Sequence, residues 1–207
     1  MTNQHKGQSY GQTRHSWIDK LTIKQRMHHT LQMIDAAKLS RNDEKSVLEL
    51  GCGYHGGNLR ELVKHYPAFQ CLGIDTVVNS DTGVKNITLL ADDVTTWQPK
   101  KSVDIVLSLA VIEHLPDPGQ HLQLISKALK PGGIAVLSTP TPAAHALWSL
   151  LGKLHLIDTS EGNVHMLYLT RQGINYLAER ERLKIIKRKV FEFGLNQIVL
   201  VQKLATY

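Results

Sequence analysis

The sequence is poor in cysteine, in aromatic residues and in long apolar runs, and each shortage excludes a class of protein. Only two of the 207 residues are cysteines, Cys52 and Cys71, and they form no C-x-x-C pair. A disulfide-stabilised scaffold and a paired-cysteine zinc site are therefore not expected. No run of 18 apolar residues occurs, so no transmembrane helix is expected. Residues 1–6 lack the apolar stretch of a secretory signal, which favours a cytoplasmic protein with free thiols.

Acidic residues are scarce towards both ends of the chain. Residues 1–45 carry eight Lys and Arg against four Asp and Glu, and residues 171–207 carry eight against three. Residues 46–170 carry eight against eleven. The basic ends are compatible with an acidic substrate or surface, and equally with solvated helix and strand faces. Their basic residues are not interleaved with aromatic residues, so a nucleic-acid partner is not expected.

Apolar residues recur with helical and strand-like spacing along most of the chain. The segment from Ser16 to Lys38 predicts one or two amphipathic helices. After it, short and nearly continuous apolar strands alternate with helices, which predicts a parallel sheet covered on both faces. The predicted strands are Ser46–Leu50, Phe69–Asp75, Ile87–Ala91, Val103–Leu109 and Ile134–Ser138, and the helices between them are Asn58–His65 and Pro118–Leu129.

The last third of the chain has a different pattern. It predicts a helix over Ala143–Leu154 and another over Thr170–Arg182, with Thr170 as its N-cap. Two β-rich runs follow, Leu183–Phe193 and Asn196–Leu204, and the short break at Gly194 predicts a hairpin. A hairpin places an antiparallel strand in the otherwise parallel sheet, which is unusual for a dinucleotide-binding domain.

The most informative segment is Val47–Gly57, where an apolar strand end runs into glycines and then a helix. Gly51 and Gly53 allow a tight turn and close approach of a ligand. The N–H groups at the start of the following helix point to the same place, which is typical of a nucleotide-type cofactor site. Glu49 stands two residues before the first glycine, where its charge favours a cationic ligand over a pyrophosphate.

Acidic and polar residues also follow the other strands, at the edge where open α/β sheets bind ligands. Asp75 comes 22 residues after Gly53, a distance that suits a partner of the ribose hydroxyls. Asp92 and Asp93 offer a carboxylate and backbone N–H groups to the edge of an adenine. The fourth predicted strand ends in Ser108, Leu109 and Ala110 and leads into Glu113 and His114.

Together these segments resemble the class I S-adenosylmethionine-dependent methyltransferases. The matching stretches are Glu49–Gly53, Gly73–Asp75, Ala91–Asp93, Asp104–Leu109, Ile112–Pro118 and Leu129–Gly133. The resemblance implies an α/β, Rossmann-like fold with a mostly parallel seven-stranded sheet, a C-terminal antiparallel hairpin strand and helices on both faces. It implies a methyltransferase domain over residues 46–207. Residues 1–45, with their predicted helices, are interpreted as an N-terminal cap or lid, and packing of their apolar stripe in the core is the alternative.

The resemblance also implies how S-adenosylmethionine would be held. The methionine part of the cofactor would face Glu49 and the turn of Gly51, Cys52 and Gly53. The ribose would face Asp75 and Thr76, and the adenine would face Asp92 and Asp93. The sulfonium end would lie near Ser108 and Leu109. The family usually has a third glycine where this chain has His55, and Gly56-Gly57 follow. Tyr54 and His55 therefore either contact the cofactor or face solvent.

His114 is the first candidate for a catalytic base, because histidine ordinarily titrates near neutral pH and this one follows the fourth strand. A structural role in its loop is the alternative. His165 is a second candidate, whereas a catalytic thiol at Cys52 is not favoured. The stretch Ile112–Pro118 resembles ubiquinone-biosynthesis O-methyltransferases, some of which have a metal-binding acid at the position of Ala110. An alanine there predicts no metal site.

Absent motifs narrow the acceptor. The chain lacks the Asp/Asn-Pro-Pro-Tyr of base-amine methyltransferases, a Pro-Cys nucleophile and the paired glutamates of arginine methyltransferases. We therefore expect methyl transfer to a small molecule, at oxygen rather than nitrogen or carbon, and the basic ends are compatible with an acidic one. Two other functions stay open, a nucleotide-cofactor oxidoreductase and a non-catalytic S-adenosylmethionine-binding protein.

Overall fold

The computed structural model describes residues 17–39, 42–153 and 167–205, which form seven strands, five α-helices and two short 3₁₀ helices. The strands are β1 (Ser46–Leu50), β2 (Gln70–Asp75), β3 (Ile87–Ala91), β4 (Val103–Leu109), β5 (Leu129–Pro140), β6 (Leu183–Phe191) and β7 (Asn196–Lys203). The α-helices are α1 (Trp17–Ala36), α2 (Gly57–His65), α3 (Pro118–Ala128), α4 (Pro142–Lys153) and α5 (Arg171–Arg180). The 3₁₀ helices are Ile112–His114 and Glu192–Gly194.

All seven strands belong to one sheet with the order β3-β2-β1-β4-β5-β7-β6. The strands β1 to β5 pair in parallel, whereas β7 is antiparallel to both of its neighbours, β5 and β6. The predicted fold class is confirmed, including the antiparallel strand supplied by the C-terminal hairpin. The order reverses between β1 and β4, which leaves a crevice beyond the carboxyl ends of these two strands, where such sheets bind ligands.

The sheet is buried on both faces because side chains of successive strand residues point to opposite sides. On one face, the strands pack against α1 and α2 through Met27, Met33, Ile34, Leu59 and Leu62. On the other face they pack against α3 and α5 through Leu122, Ile125, Ile174 and Ala178. Two covered faces explain why the central strands are nearly continuously apolar in sequence.

Most of the predicted elements agree with the structure to within two residues at each end. The main difference is β5, which begins at Leu129 and not at Ile134. Lys130-Pro-Gly-Gly133 has the composition of a turn, yet Leu129 pairs with Val103 and the Lys130 Nζ lies 2.8 Å from Asp104 Oδ2. A register shift between Val103 and Ile105 allows this extension, since it absorbs the irregular backbone of the glycines.

The helix caps follow from local sequence. Thr170 is the N-cap of α5, as predicted, because its Oγ1 accepts a hydrogen bond from the Gly173 N–H. Asp117 caps α3 in the same way, with Pro118 in the first helical position. The segment predicted to contain one or two N-terminal helices forms the single helix α1. None of the helices in the described ranges is long and apolar enough to cross a membrane.

Candidate functional site

The glycine turn connects β1 to α2 at the carboxyl edge of the sheet. The backbone N–H groups of Gly51 and Cys52 both donate to the Ile74 carbonyl, at 2.8 and 3.1 Å, so the turn is fixed to the end of β2. Gly51 has a φ of +74°, and a Cβ built on it would lie 2.4 Å from Val111 Cγ2. Glycine is therefore required here both by the backbone conformation and by the closeness of the loop after β4.

The rest of the turn shows how the chain tolerates a residue in place of the third glycine. Gly56 has a φ of +60° and precedes the first residue of α2. The left-handed backbone conformation therefore falls on Gly56, one residue after His55. Arg60 donates from Nε to the His55 carbonyl at 2.8 Å, which closes the turn on the helix. The His55 side chain is exposed and Tyr54 is half-buried, with their rings 4.7 Å apart.

Glu49 is completely buried beneath this turn. Its Oε1 accepts a hydrogen bond of 2.7 Å from the Asn58 side-chain amide, and its Oε2 has no partner among the described residues. Burial raises the pKa of Glu49 to about 8, because the ionised form has lost its water, and the nearby charge of Asp75 adds to this. A buried carboxylate oxygen without a partner is costly unless a ligand satisfies it. Asn58, at the start of α2, was not among the predicted site residues.

Asp75 lies at the carboxyl end of β2, next to β1, as predicted. Its Oδ2 accepts a hydrogen bond of 2.8 Å from the Gly53 N–H, and the Thr76 hydroxyl lies 3.3 Å from its Oδ1. The carboxylate is half-buried, whereas Thr76 is exposed. The glycine turn and Asp75 are thus directly connected, and the carboxylate retains acceptor positions for hydroxyl groups of a ligand.

The Cys52 side chain points into the core and not towards the crevice. A Cβ on Gly73 would lie 2.8 Å from Cys52 Sγ, which means that the thiol occupies the space above that glycine. Burial raises the pKa of the Cys52 thiol, and the carboxylates of Glu49 and Asp75 raise it further. A nucleophilic thiolate is therefore strongly disfavoured, and only the backbone of Cys52 is available to a ligand.

The two acids after β3 form a short connected turn. The Asp92 N–H donates to the Asp75 carbonyl at 2.9 Å, and the Asp93 N–H donates to Asp92 Oδ1 at 2.8 Å. The Asp93 carboxylate accepts hydrogen bonds from the N–H and hydroxyl of Thr95, which lower its pKa. Asp93 is thus engaged in its own turn, while the exposed Asp92 lies beside the end of β2, where an adenine is expected.

Ser108 and Leu109 at the end of β4 point to opposite faces of the sheet. Ser108 is buried on the side of α3, where its Oγ lies 2.8 Å from His121 Nε2. Burial lowers the pKa of His121 to about 4, so this imidazole is neutral at physiological pH. Any contact of Ser108 with a ligand in the crevice must therefore come from its backbone. Leu109 packs in the core on the face that carries α1 and α2.

The 3₁₀ helix after β4 contains both a buried and an exposed ionisable side chain. Glu113 is buried, which raises its pKa, whereas the neighbouring His114 is exposed. Ala110 has a φ of +58°, so the chain turns sharply between β4 and this helix. No group of three or more His, Cys, Asp or Glu in the described ranges has the arrangement of a metal site. His165 lies outside the described residues.

Comparison with known proteins identifies the family of this chain. A family model described as a methyltransferase domain matches residues 22–187, most of the chain. The chain belongs to this methyltransferase family. Its cofactor is S-adenosylmethionine, as its resemblance to the class I enzymes implied.

Two curated relatives illustrate the similarity to this methyltransferase domain. The chain is 26% identical over 130 residues to a trans-aconitate 2-methyltransferase of Azoarcus sp. strain BH72, covering 60% of this chain and 51% of that protein. It is 30% identical over 146 residues to a ubiquinone biosynthesis O-methyltransferase of Leptothrix cholodnii, covering 63% and 60%. The chain thus spans about half to three fifths of the length of these relatives.

Solved structures agree on the fold. A SAM-dependent methyltransferase of Methanosarcina mazei superposes with a TM-score of 0.61 at 19% identity, covering 84% of this chain and 98% of that one. The residues of the methyltransferase domain described above fit the cofactor in chemical terms. The methionine part of S-adenosylmethionine carries an ammonium group. The unpartnered oxygen of Glu49 is a buried acceptor, and a cation beside it favours the negatively charged form of this carboxyl group.

Proposed function

We propose that this methyltransferase domain transfers the methyl group of S-adenosylmethionine to an oxygen atom of a small molecule. The observation that carries cofactor use is Glu49 under the glycine turn, whose buried Oε2 has no partner among the described residues and which a cationic group would stabilise as a carboxylate. The acceptor class is supported by the names of the two relatives, which refer to trans-aconitate and to ubiquinone biosynthesis. The absence of the motifs for base-amine, cytosine and arginine methylation from the sequence also favours a small-molecule acceptor.

The protein's share of the reaction is mainly binding and orientation. When bound, S-adenosylmethionine supplies a methyl group that its positively charged sulfonium already activates for displacement. In the proposal Glu49 and the Gly51–Gly53 backbone hold the methionine part, Asp75 the ribose and Asp92 the adenine. These contacts fix the position of the methyl group, so that an aligned acceptor needs little further activation.

A hydroxyl acceptor must also lose its proton, and we assign that task to His114. It follows β4 and is exposed beside the buried Glu113, at the same edge of the sheet as Glu49 and Asp75. Its imidazole would take the proton of the acceptor oxygen as the new bond to carbon forms. His165 stays a secondary candidate for the same role.

Calorimetry that compares S-adenosylhomocysteine with NAD tests the cofactor assignment. We expect saturable binding of S-adenosylhomocysteine alone, and loss of most of it in Glu49→Ala. Binding of NAD alone would contradict the proposal and favour an oxidoreductase. Incubation with methyl-labelled S-adenosylmethionine and a fractionated metabolite library then tests transfer. Cofactor binding without label transfer to any fraction would favour a non-catalytic role.

A further inference from the structure

Asn58 is the second residue of α2, and its side chain reaches back across the glycine turn to the end of β1. Its Nδ2 donates a hydrogen bond of 2.7 Å to Glu49 Oε1, nine residues earlier in the chain. An asparagine near a helix start often caps the helix through its side chain. Here the N-cap is Gly56, and the Asn58 side chain binds Glu49 instead. The contact therefore acts on the buried carboxyl group.

This hydrogen bond satisfies one oxygen of Glu49 without neutralising its charge. An amide is an uncharged donor, and within the described ranges Glu49 forms no ion pair with a basic side chain. The second oxygen, Oε2, has no partner among these residues either. Buried polar atoms are almost always hydrogen-bonded in folded proteins. The chain thus fixes one side of the carboxyl group and leaves the other side, together with the countercharge, to a ligand.

The type of residue at this position determines how Glu49 can act. A lysine or arginine in place of Asn58 would pair with Glu49 in the free protein and compete with the ammonium group of the cofactor. An apolar residue would leave both carboxyl oxygens without a donor, so ionisation would cost more. Burial raises the pKa of Glu49, and the hydrogen bond from Asn58 opposes that effect. An asparagine therefore supports the carboxylate while keeping it available to a cation.

We propose that Asn58 is a positioning residue for the cofactor, which holds the Glu49 carboxylate so that Oε2 binds the ammonium group of the methionine part. This inference rests on the proposed function and adds the residue that makes Glu49 selective for a cationic group. Asn58 acts through Glu49 and not through a contact of its own with the cofactor. Its effect is limited to the ammonium group, because the ribose and the adenine are assigned to Asp75 and Asp92.

Two ligands that differ only in the ammonium group test this role. They are S-adenosylhomocysteine and its deamino analogue, in which a hydrogen atom replaces the ammonium group. Affinities are measured by calorimetry, with displacement titrations for the weaker ligand. The wild-type protein should bind S-adenosylhomocysteine at least about tenfold more tightly, because the analogue cannot form the charge-assisted hydrogen bond to Glu49.

Variants of Asn58 assign this discrimination to its side chain. Asn58→Leu keeps a similar shape but removes the donor, so S-adenosylhomocysteine should bind about tenfold more weakly, and the deamino analogue within about twofold of wild type. Asn58→Gln retains an amide donor and should recover part of the loss, which a purely structural role does not predict. Asn175→Leu makes the same change at an exposed position on α5 and should alter neither affinity.

A double-mutant cycle shows whether Asn58 acts through Glu49. In a Glu49→Gln background no carboxylate remains to be held, so Asn58→Leu should lower the affinity for S-adenosylhomocysteine by less than about twofold further. Circular dichroism checks the folding of each variant. Asn58→Ala, which also removes the donor, repeats both measurements if Asn58→Leu does not fold.

Several results would overturn the inference. They are equal affinity of the wild-type protein for the two ligands, equal losses or no loss for both ligands in the Asn58 variants, or full additivity of Asn58→Leu with Glu49→Gln. Failure of S-adenosylhomocysteine to bind the wild-type protein would contradict the proposed function itself. Binding that depends on Glu49 but not on Asn58 contradicts only the role of Asn58.

Discussion

At the scale of single residues, Glu49 connects the stability of the protein to its ligand. Its carboxyl group is completely buried with one hydrogen bond from Asn58, and its second oxygen has no partner among the described residues. A side chain held in this way destabilises the free protein when it ionises. Binding of a cationic group removes that penalty, so the same residue that weakens the free protein strengthens the complex.

The raised pKa of Glu49 predicts how stability changes with pH. Between pH 4.5 and about 8 the folded protein retains a proton that the unfolded chain releases, so the free energy of unfolding should fall as the pH rises through this window. The loss attributable to Glu49 should reach about 3–5 kcal/mol. Glu49→Gln has no proton to lose, so its stability relative to wild type should rise by that amount, measured by urea unfolding at pH 5 and 8.5.

The control for this experiment is Glu61→Gln, an exposed side chain paired with Lys64. The pKa of Glu61 is lowered by Lys64, so its replacement should not reproduce the gain at high pH. Equal pH dependence in wild type and Glu49→Gln would show that Glu49 is ionised without penalty in the free protein.

Asp75 should contribute more to cofactor affinity than any exposed acid nearby. Asp75→Ala removes the proposed acceptor of two ribose hydroxyls and also frees the Gly53 N–H. We expect a loss of about 2–3 kcal/mol in the binding free energy of S-adenosylhomocysteine, measured by calorimetry. Asp81→Ala carries the same charge change in the exposed loop after β2 and should have little effect. Affinity of Asp75→Ala within twofold of wild type would exclude the ribose assignment.

His114→Ala should separate chemistry from binding once an acceptor is known. Removal of a general base slows proton transfer by about 10²-fold or more but leaves the cofactor contacts in place. The measurements are single-turnover methyl transfer and the affinity for S-adenosylhomocysteine. His65→Ala, an exposed histidine on α2, is the matched control. A rate equal to wild type would leave His114 with a structural role only.

At the scale of elements, the turn between β1 and α2 and the loop after β4 determine the geometry of the crevice. Gly51→Ala should destabilise the protein by about 1–3 kcal/mol, because its Cβ would lie 2.4 Å from Val111 and because its φ is positive. Val111→Ala in the same chain should restore part of this loss by removing the contact but not the backbone strain. Urea unfolding of both single variants and the double variant measures the coupling. Additive effects would show that Val111 does not limit this position.

The same elements show what sequence reasoning can and cannot provide. The strands were predictable because burial on both faces demands continuous apolar residues. Glu49 and Asp75 were predictable because Glu49 is the penultimate residue of β1 and Asp75 is the last residue of β2. The extension of β5 was not, since Lys130 to Gly133 has the composition of a turn. It is held by long-range contacts, the pairing of Leu129 with Val103 and the ion pair of Lys130 with Asp104. Asn58 was missed because its role depends on a contact with the Glu49 side chain across the glycine turn, which only the folded turn brings about.

At the scale of the whole molecule, α1 packs in the same hydrophobic core as the methyltransferase sheet. The helix buries Met27, Met33 and Ile34 in the same core as β1, β4, β5 and β7. The family match begins at residue 22, inside this helix. The cap or lid role of residues 1–45 stays a prediction, and the described part of this segment, α1, packs into the core.

Substitution of Ile34 tests whether α1 is an integral part of the fold. Ile34 is completely buried, so Ile34→Ala should lower the free energy of unfolding by about 2–5 kcal/mol through lost burial and a residual cavity. Leu21→Ala, at a position 48% exposed on the same helix, should change it by less than about 0.5 kcal/mol. Both are measured by urea unfolding followed through circular dichroism, where an integral helix gives one cooperative transition with an unchanged m value. A small effect of Ile34→Ala, or a separate early transition, would mean that α1 detaches on its own.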